Sequence, residues 1–216
     1  MTERLYLYDT TLRDGGQTQG VDFTIADKVA IARLLDQLGV DYVEGGWPGA
    51  NPTDDGFFAH PPALARAKLC AFGMTRRAGR SAANDPGLAA LLRSGTDAIT
   101  LVGKSSARQV ELALGVALDE NLRMIEESVA EACQQAPEVL FDAEHFFDGY
   151  LADPDYALAC LEAARRSGAR WIVLCDTSGG RLPHEIASIV ERVARSIPAE
   201  QLGIHAHNDT ENAVAN

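Results

Sequence analysis

Two histidines near one end of the sequence have the spacing of a pair of metal ligands. His205 and His207 lie one residue apart in "LGIHAHND", directly after an apolar run. Alternate residues of a β-strand point to the same face, so a strand at this position would project both imidazoles together. A pair of ordinary hydrogen-bonded histidines has the same spacing. Carboxylates on other strands of the same sheet would favour the metal site.

The other end of the sequence supplies a carboxylate beside a cation. "DTTLRDGGQ" places Arg13 and Asp14 after an apolar run, and Asp14 is the natural third metal ligand. One carboxylate and two imidazoles suit a divalent ion, with Zn, Mn, Mg and Co as the candidates. An arginine directed into a protein interior is costly unless it meets an anion. Arg13 therefore either forms a surface salt bridge or stabilises negative charge that develops on an oxygen.

A second carboxylate is predicted to act with this arginine. Glu144 lies in "FDAEH", at the end of another apolar run. If both run ends face one site, Glu144 can pair with Arg13 and serve in proton transfer.

Apolar, β-rich runs alternate with helical patterns along the whole chain. Seven such runs end in polar residues or glycine: "RLYLYDTTL", "DYVEGG", "KLCAFGMT", "DAITLVG", "EVLFDAEHF", "RWIVLCDT" and "QLGIHAHN". The clearest helical patterns are residues 24–38, "DENLRMIEESVAEACQQA", "DPDYALACLEAARRSGA" and "LPHEIASIVERVARSI".

This alternation predicts parallel βαβ units of the α/β class. Seven units in series favour a (β/α)8 TIM barrel over an open doubly wound sheet, because no GxGxxG follows the first strand. Chemistry is then expected at the C-terminal ends of the strands. The polar residues found there are Arg13, Asp14, Glu44, Lys104, Glu144, His145, Asp176, Thr177, His205, His207, Asn208 and Asp209.

The chain is predicted to be one catalytic barrel domain over residues 1–216, present through strand seven and the start of helix seven. We expect it to be C-terminally incomplete, without strand eight and without any C-terminal regulatory or dimerisation region. It is then either a piece of a longer protein or a barrel finished by another chain. Seven strands cannot close an eight-stranded barrel, so we expect the 216-residue chain alone to have little or no activity.

Composition excludes some classes of partner. A net charge of −12 argues against nucleic-acid binding, and it means that an anionic substrate needs local cations or a metal. Cys70 and Cys175 lie in strand-like runs and no CxxC pair is present, which favours free thiols and a cytoplasmic location. The sequence shows no signal peptide, and no apolar run reaches the roughly 20 residues of a membrane span.

Four motifs together, "DTTLRDGGQ", "FDAEH", "DTSGG" and "HAHND", resemble those of the DRE-TIM metallolyases. Within that family the chain is similar to the 2-isopropylmalate, homocitrate and citramalate synthases, which condense acetyl-CoA with a 2-keto acid. "VEGGWPGANPTD" and "FDAEHFFDGY" are most similar to the citramalate synthase branch, in which the keto acid is pyruvate. The resemblance implies an acyltransferase of branched-chain amino-acid biosynthesis, acting for isoleucine or leucine, and a homodimer in the full-length protein.

The resemblance also implies roles for individual residues. Asp14, His205 and His207 correspond to the ligands of a divalent metal that chelates the keto acid. Arg13 corresponds to the arginine that binds the keto acid, beside Asp14, and that stabilises the enolate. Glu144 corresponds to an acid/base glutamate, and Thr177 to the threonine that hydrogen-bonds the substrate carboxylate.

The chain departs from the family pattern at two positions. Gly16 stands where many relatives carry glutamate, and Asp142 stands where some citramalate synthases carry a substrate-contacting tyrosine.

Several alternatives share parts of this pattern. A lyase similar to HMG-CoA lyase would use Arg13, Asp14 and both histidines for the reverse type of reaction. A metal-dependent hydrolase of the amidohydrolase type would carry its HxH on the first strand, where this chain has Arg13 and Asp14. An inactive fragment that survives only as a folded partner is the non-enzymatic alternative.

Overall fold

The computed structural model describes residues 4–216 as one parallel sheet of seven strands, ordered in space as in sequence. The strands are β1 Tyr8–Asp9, β2 Tyr42–Glu44, β3 Lys68–Met74, β4 Ala98–Lys104, β5 Val139–Glu144, β6 Trp171–Asp176 and β7 Leu202–Ala206. The helices are α1 Ile25–Leu38, α2 Pro52–Ala59, α3 Pro86–Leu92, the single turn α4 Ala107–Gln109, α5 Leu118–Gln135, α6 Phe146–Ala152, α7 Pro154–Arg166 and α8 Pro183–Val193. The predicted barrel class is confirmed, with the barrel present only in part.

Each long helix begins within one residue of its predicted start, whereas α8 ends at Val193, before the end of its predicted pattern. The Thr24 side chain accepts a hydrogen bond from the Asp27 backbone, and the Asp27 carboxylate accepts one from the Thr24 backbone, so α1 starts with a capping box. Gly39 then ends α1 in the left-handed conformation. The short helices α2, α3, α4 and α6 lie in the segments after β2, β3, β4 and β5. The sequence does not predict them, because each is too brief to show a periodic pattern.

Alternating residues of the strands build two apolar layers. In β5, Val139, Phe141 and Ala143 pack in the large cluster between sheet and helices, whereas Leu140 belongs to a second cluster on the inner face. The inner cluster contains Tyr42, Cys70, Ala98, Leu140 and Trp171. Because these residues fill the inner face near the starts of the strands, the polar residues of the same face are left at the strand ends.

The first strand is shorter than predicted. Only Tyr8–Asp9 pairs with β2, because Thr10 begins a turn in which its carbonyl accepts hydrogen bonds from Arg13 N and Gly15 N. Within residues 4–216, β1 and β7 each pair with one neighbour only and are not paired with each other. Leu5 and Leu7, just before β1, and Ile204, in β7, are exposed apolar side chains.

Two further predictions bear on the chain as a whole. Cys70 and Cys175 are buried free thiols, as expected from their positions in strands. Cys160 is also buried, and Cys133 is the exposed thiol among the four. Among the described residues, no helix combines the length and the apolar character needed to cross a bilayer.

Candidate metal and substrate site

Three predicted ligands meet across the opening between β1 and β7. His205 Nε2 lies 3.1 Å from Asp14 Oδ2, and His207 Nε2 lies 3.3 Å from the same oxygen. The two imidazole rings have centroids 5.0 Å apart. His205 is on β7 and His207 is just beyond it, so the two rings share a face, as the spacing predicts.

These separations fit a shared metal ion. Ligand bonds of about 2.0–2.2 Å put neighbouring ligand atoms roughly 3.0–3.6 Å apart in octahedral or tetrahedral geometry. The two observed nitrogen–oxygen separations fall in that interval. One hard carboxylate oxygen with two imidazoles can accept Zn²⁺, Mn²⁺, Mg²⁺ or Co²⁺ and leaves positions for other ligands.

The protonation behaviour of the same groups follows from their contacts. The hydrogen bond from His205 and the nearby Arg13 charge lower the pKa of Asp14 to about 2. Burial opposes a charged imidazole at His205, but the hydrogen bond to Asp14 raises the pKa of His205 above its ordinary value. Asp14 is therefore ionised at neutral pH, as a metal ligand must be.

Two loops hold His207 in place. Gly179 in "DTSGG" has φ 58°, and a β-carbon there would lie 2.8 Å from the backbone nitrogen of Asp209. Thr210 donates to the Gly179 carbonyl from its backbone N–H, at 3.2 Å, and from its hydroxyl, at 2.6 Å. The loop after β6 therefore packs directly on the loop that carries His207, and only a residue without a side chain permits that approach.

Arg13 lies on the inner face of the sheet, with its charge balanced by a buried carboxylate. Its Nε donates to Glu44 Oε2 at 2.7 Å, and its guanidinium carbon lies 3.9 Å from the centre of the Phe72 ring. Tyr8 donates to the other Glu44 oxygen at 2.9 Å. Burial raises the pKa of Glu44, and the Arg13 charge opposes that rise.

The predicted pairing of Arg13 with Glu144 is wrong. β2 is the direct neighbour of β1, so Glu44 reaches Arg13, whereas β5 lies on the far side of the sheet. Glu144 instead pairs with Lys104, its partner in the β4–β5 register. Glu44 and Lys104 are among the predicted strand-end residues, but their sequence context indicates no role for either.

Thr177 lies at the end of β6, beside the turn that follows β5. Its hydroxyl accepts a hydrogen bond from the His145 backbone N–H at 2.8 Å. His145 has φ 58°, which is uncommon for a residue with a side chain, and this conformation directs its N–H toward β6. The Thr177 hydroxyl proton remains available to donate to another oxygen.

Fold and site together define a parallel α/β-barrel protein with a candidate metal centre at the C-terminal ends of its strands. The chain belongs to the HMGL-like family, whose model matches residues 4–216.

Individual relatives agree with this assignment. The (R)-citramalate synthase of Aquifex aeolicus is 51% identical over 218 residues, covering 100% of this chain and 41% of that protein. The 2-isopropylmalate synthase of Methylorubrum populi is 34% identical over 217 residues, covering 99% of this chain and 41% of that protein. The chain thus spans 41% of the length of these two curated relatives.

A solved structure carries the same fold. The HMG-CoA lyase from Brucella melitensis superposes with a TM-score of 0.81 at 17% identity, covering 99% of this chain and 75% of that one. At this identity the likeness concerns the fold alone.

Proposed function

We propose that the chain is the catalytic barrel of an enzyme that condenses acetyl-CoA with a 2-keto acid, with pyruvate as the preferred acceptor and citramalate as the product. The observation that carries this proposal is the convergence of Asp14, His205 and His207 on one point, with Arg13 beside Asp14. These residues offer a metal position and a fixed cation next to each other, which a reaction that develops charge on a carbonyl oxygen requires.

Each residue has a separate task in this proposal. Asp14, His205 and His207 would hold the divalent ion, which when bound supplies a Lewis acid for the keto acid. Arg13 uses Nε for Glu44, so its remaining donors can bind the keto-acid oxygens and the enolate. The Thr177 hydroxyl donates to the substrate carboxylate. Glu144, held by Lys104, exchanges a proton with the reacting groups.

The choice of acceptor is the direct test of the function. We expect free CoA to be released from acetyl-CoA fastest with pyruvate, because the 51% identical relative is a citramalate synthase and the 34% identical one a 2-isopropylmalate synthase. A pocket fitted to a methyl group discriminates by about 10-fold to 200-fold against a larger alkyl group. Thiol release with pyruvate, 2-ketoisovalerate and 2-ketoglutarate measures the preference. A preference for 2-ketoisovalerate would assign the chain to the isopropylmalate branch instead.

Replacing Glu144 with glutamine tests its proton-transfer role. The amide keeps the shape and can still accept from Lys104, but it cannot exchange a proton, so we expect kcat to fall by about 10²-fold to 10⁴-fold. Metal content should stay unchanged, since Glu144 is not one of the three ligands. An unchanged kcat in the glutamine variant would remove Glu144 from the mechanism.

The domain proposal is that a further βα unit, from a longer chain or from another chain, completes the barrel between β7 and β1. Two strand edges that have no partner within residues 4–216 support it, as do the exposed Leu5, Leu7 and Ile204. Hydrogen exchange is expected to be fast along β1 and β7 of the chain alone and slow along β4. A monomer with equal protection in all three strands would need no further unit.

The remaining context follows from the same proposal. We infer a cytoplasmic enzyme of branched-chain amino-acid biosynthesis, serving isoleucine or leucine, that acts as a homodimer at full length. Light scattering of the full-length protein gives its oligomeric state, and a monomeric mass would reject the dimer.

A further inference from the structure

A second group of metal-binding side chains lies on the inner face of the sheet, next to the proposed metal ligands. Asp142, Cys175 and His205 each offer one ligand atom, and these atoms lie within 4.8 Å of one another. They come from the adjacent strands β5, β6 and β7, and Cys175 is the register partner of His205. His205 therefore belongs to two candidate sites, one with Asp14 and His207 and one with Asp142 and Cys175.

Asp142 is the unexplained member of this inner group. Its residue is 7% exposed, and a carboxylate oxygen lies within 4.8 Å of the ligand atoms of Cys175 and His205. Burial, followed by the Glu44 charge, raises the pKa of Asp142 to about 7. A buried carboxylate is costly in a protein interior unless a cation or hydrogen-bond donors compensate its charge. A bound cation is the kind of partner that would neutralise it.

Cys175 decides which cation fits. Its residue is 6% exposed, and its Sγ lies 3.7 Å from the Val173 carbonyl oxygen. Thiolate is a soft ligand that selects zinc and related ions, whereas Mg²⁺ and Mn²⁺ prefer oxygen. Burial raises the pKa of the free Cys175 thiol, but a coordinated thiol loses its proton to the metal.

We propose that Asp142, Cys175 and His205 form a thiophilic metal site that competes with the Asp14 site for His205. Zinc–ligand bonds of about 2.0–2.3 Å require ligand atoms roughly 3.3–3.8 Å apart. From a spacing of up to 4.8 Å, the ligand atoms must therefore approach one another by at most about 1.5 Å, which side-chain rotation can supply. When His205 binds an ion together with Asp142 and Cys175, the inner site, it cannot at the same time complete the outer site with Asp14 and His207.

The competition has a functional consequence. Thiophilic ions such as Cd²⁺ would draw His205 inward, away from an activating ion held by Asp14 and His207. Inhibition by these ions rests on the proposed function, whereas binding at the inner site does not. The two can therefore be measured separately.

Cadmium titration tests the binding directly, because a cadmium–thiolate bond absorbs in the ultraviolet. Cys133 is the exposed thiol, so the experiment uses a Cys133→Ser background. We expect one Cd²⁺ per chain with charge-transfer absorption. Cys175→Ser should abolish this absorption, and Asp142→Asn should weaken Cd²⁺ binding at least tenfold. Cys70→Ser is the matched control, a buried strand thiol outside the inner group, and should leave the absorption unchanged.

Two histidine variants separate the inner site from the outer one. His207→Ala should keep the cadmium–thiolate absorption, and His205→Ala should lose it. Circular dichroism of each variant establishes that it is folded, and Asp142→Asn decides the matter if Cys175→Ser does not fold. Absorption that persists without Cys175, or that depends on His207, would overturn the proposal. If the absorption depends on Cys175 and His205 as expected but Cd²⁺ does not inhibit the enzyme, the competition for His205 is refuted and the inner site stands.

Discussion

Replacing His207 with alanine is expected to remove most of the divalent metal while leaving the chain folded. His207 lies beyond β7, its side chain is 34% exposed, and it contacts Asp14 rather than the apolar core. Loss of a residue that hydrogen-bonds to a metal ligand lowers metal affinity by about 10-fold to 100-fold. Loss of a ligand itself should lower it at least as much. Activity should fall by roughly 10³-fold or more, because a Lewis acid supplies several kcal/mol.

Metal analysis after dialysis, together with a thermal melt, measures both parts of this expectation. His184→Ala is the matched control, since His184 is an exposed histidine in α8 that belongs to neither metal-binding group. Its metal content and melting temperature should equal those of the parent chain. Stoichiometric metal retained in the His207 variant would refute the ligand assignment.

Replacing Arg13 with glutamine is expected to reduce both stability and activity strongly. The change leaves the Glu44 carboxylate, which is 0% exposed, without its cation. Breaking a buried ion pair from one side costs about 3–5 kcal/mol, because the remaining charge is uncompensated. Activity should fall as well, since a single oxyanion-stabilising donor contributes roughly 10²-fold to 10³-fold to kcat.

A double variant separates the two effects. In Arg13→Gln with Glu44→Gln neither charge of the ion pair is left, and the second glutamine can still accept from Tyr8. We expect most of the stability to return, as measured by urea unfolding, while activity stays low. Recovery of activity in the double variant would mean that Arg13 serves only to balance Glu44. Arg13→Lys keeps the charge and should retain more stability than Arg13→Gln.

The sequence was enough to predict the barrel and its metal group because both depend on short-range patterns. The alternation of apolar runs and helices identifies the seven strands, and parallel strands bring their carboxyl ends to one edge. Asp14, His205 and His207 could therefore be expected to lie close together from the sequence alone. The length of β1 could not, because the turn at Thr10 depends on hydrogen bonds that an apolar pattern does not encode.

The partner of Arg13 was missed for a different reason. Glu44 and Glu144 both end strands, and the motif around Glu144 is the more distinctive in sequence. Strand order could have decided between them, because a side chain on β1 reaches β2 before it reaches β5. The proximity of Asp142 to Cys175 and His205 depends on the register of β5, β6 and β7, which the sequence pattern does not supply.

The opening between β1 and β7, where the metal ligands meet, also sets the time at which the centre can form. Asp14 and His205 are separated by about 190 residues, which a ribosome adds in roughly 10–40 s at 5–20 residues per second. For most of that interval Arg13, Asp14 and Glu44 have already been synthesised, but neither histidine has. A nascent chain can therefore acquire this metal centre only after all seven strands have been synthesised, so metal loading reports a late step in the formation of this sheet.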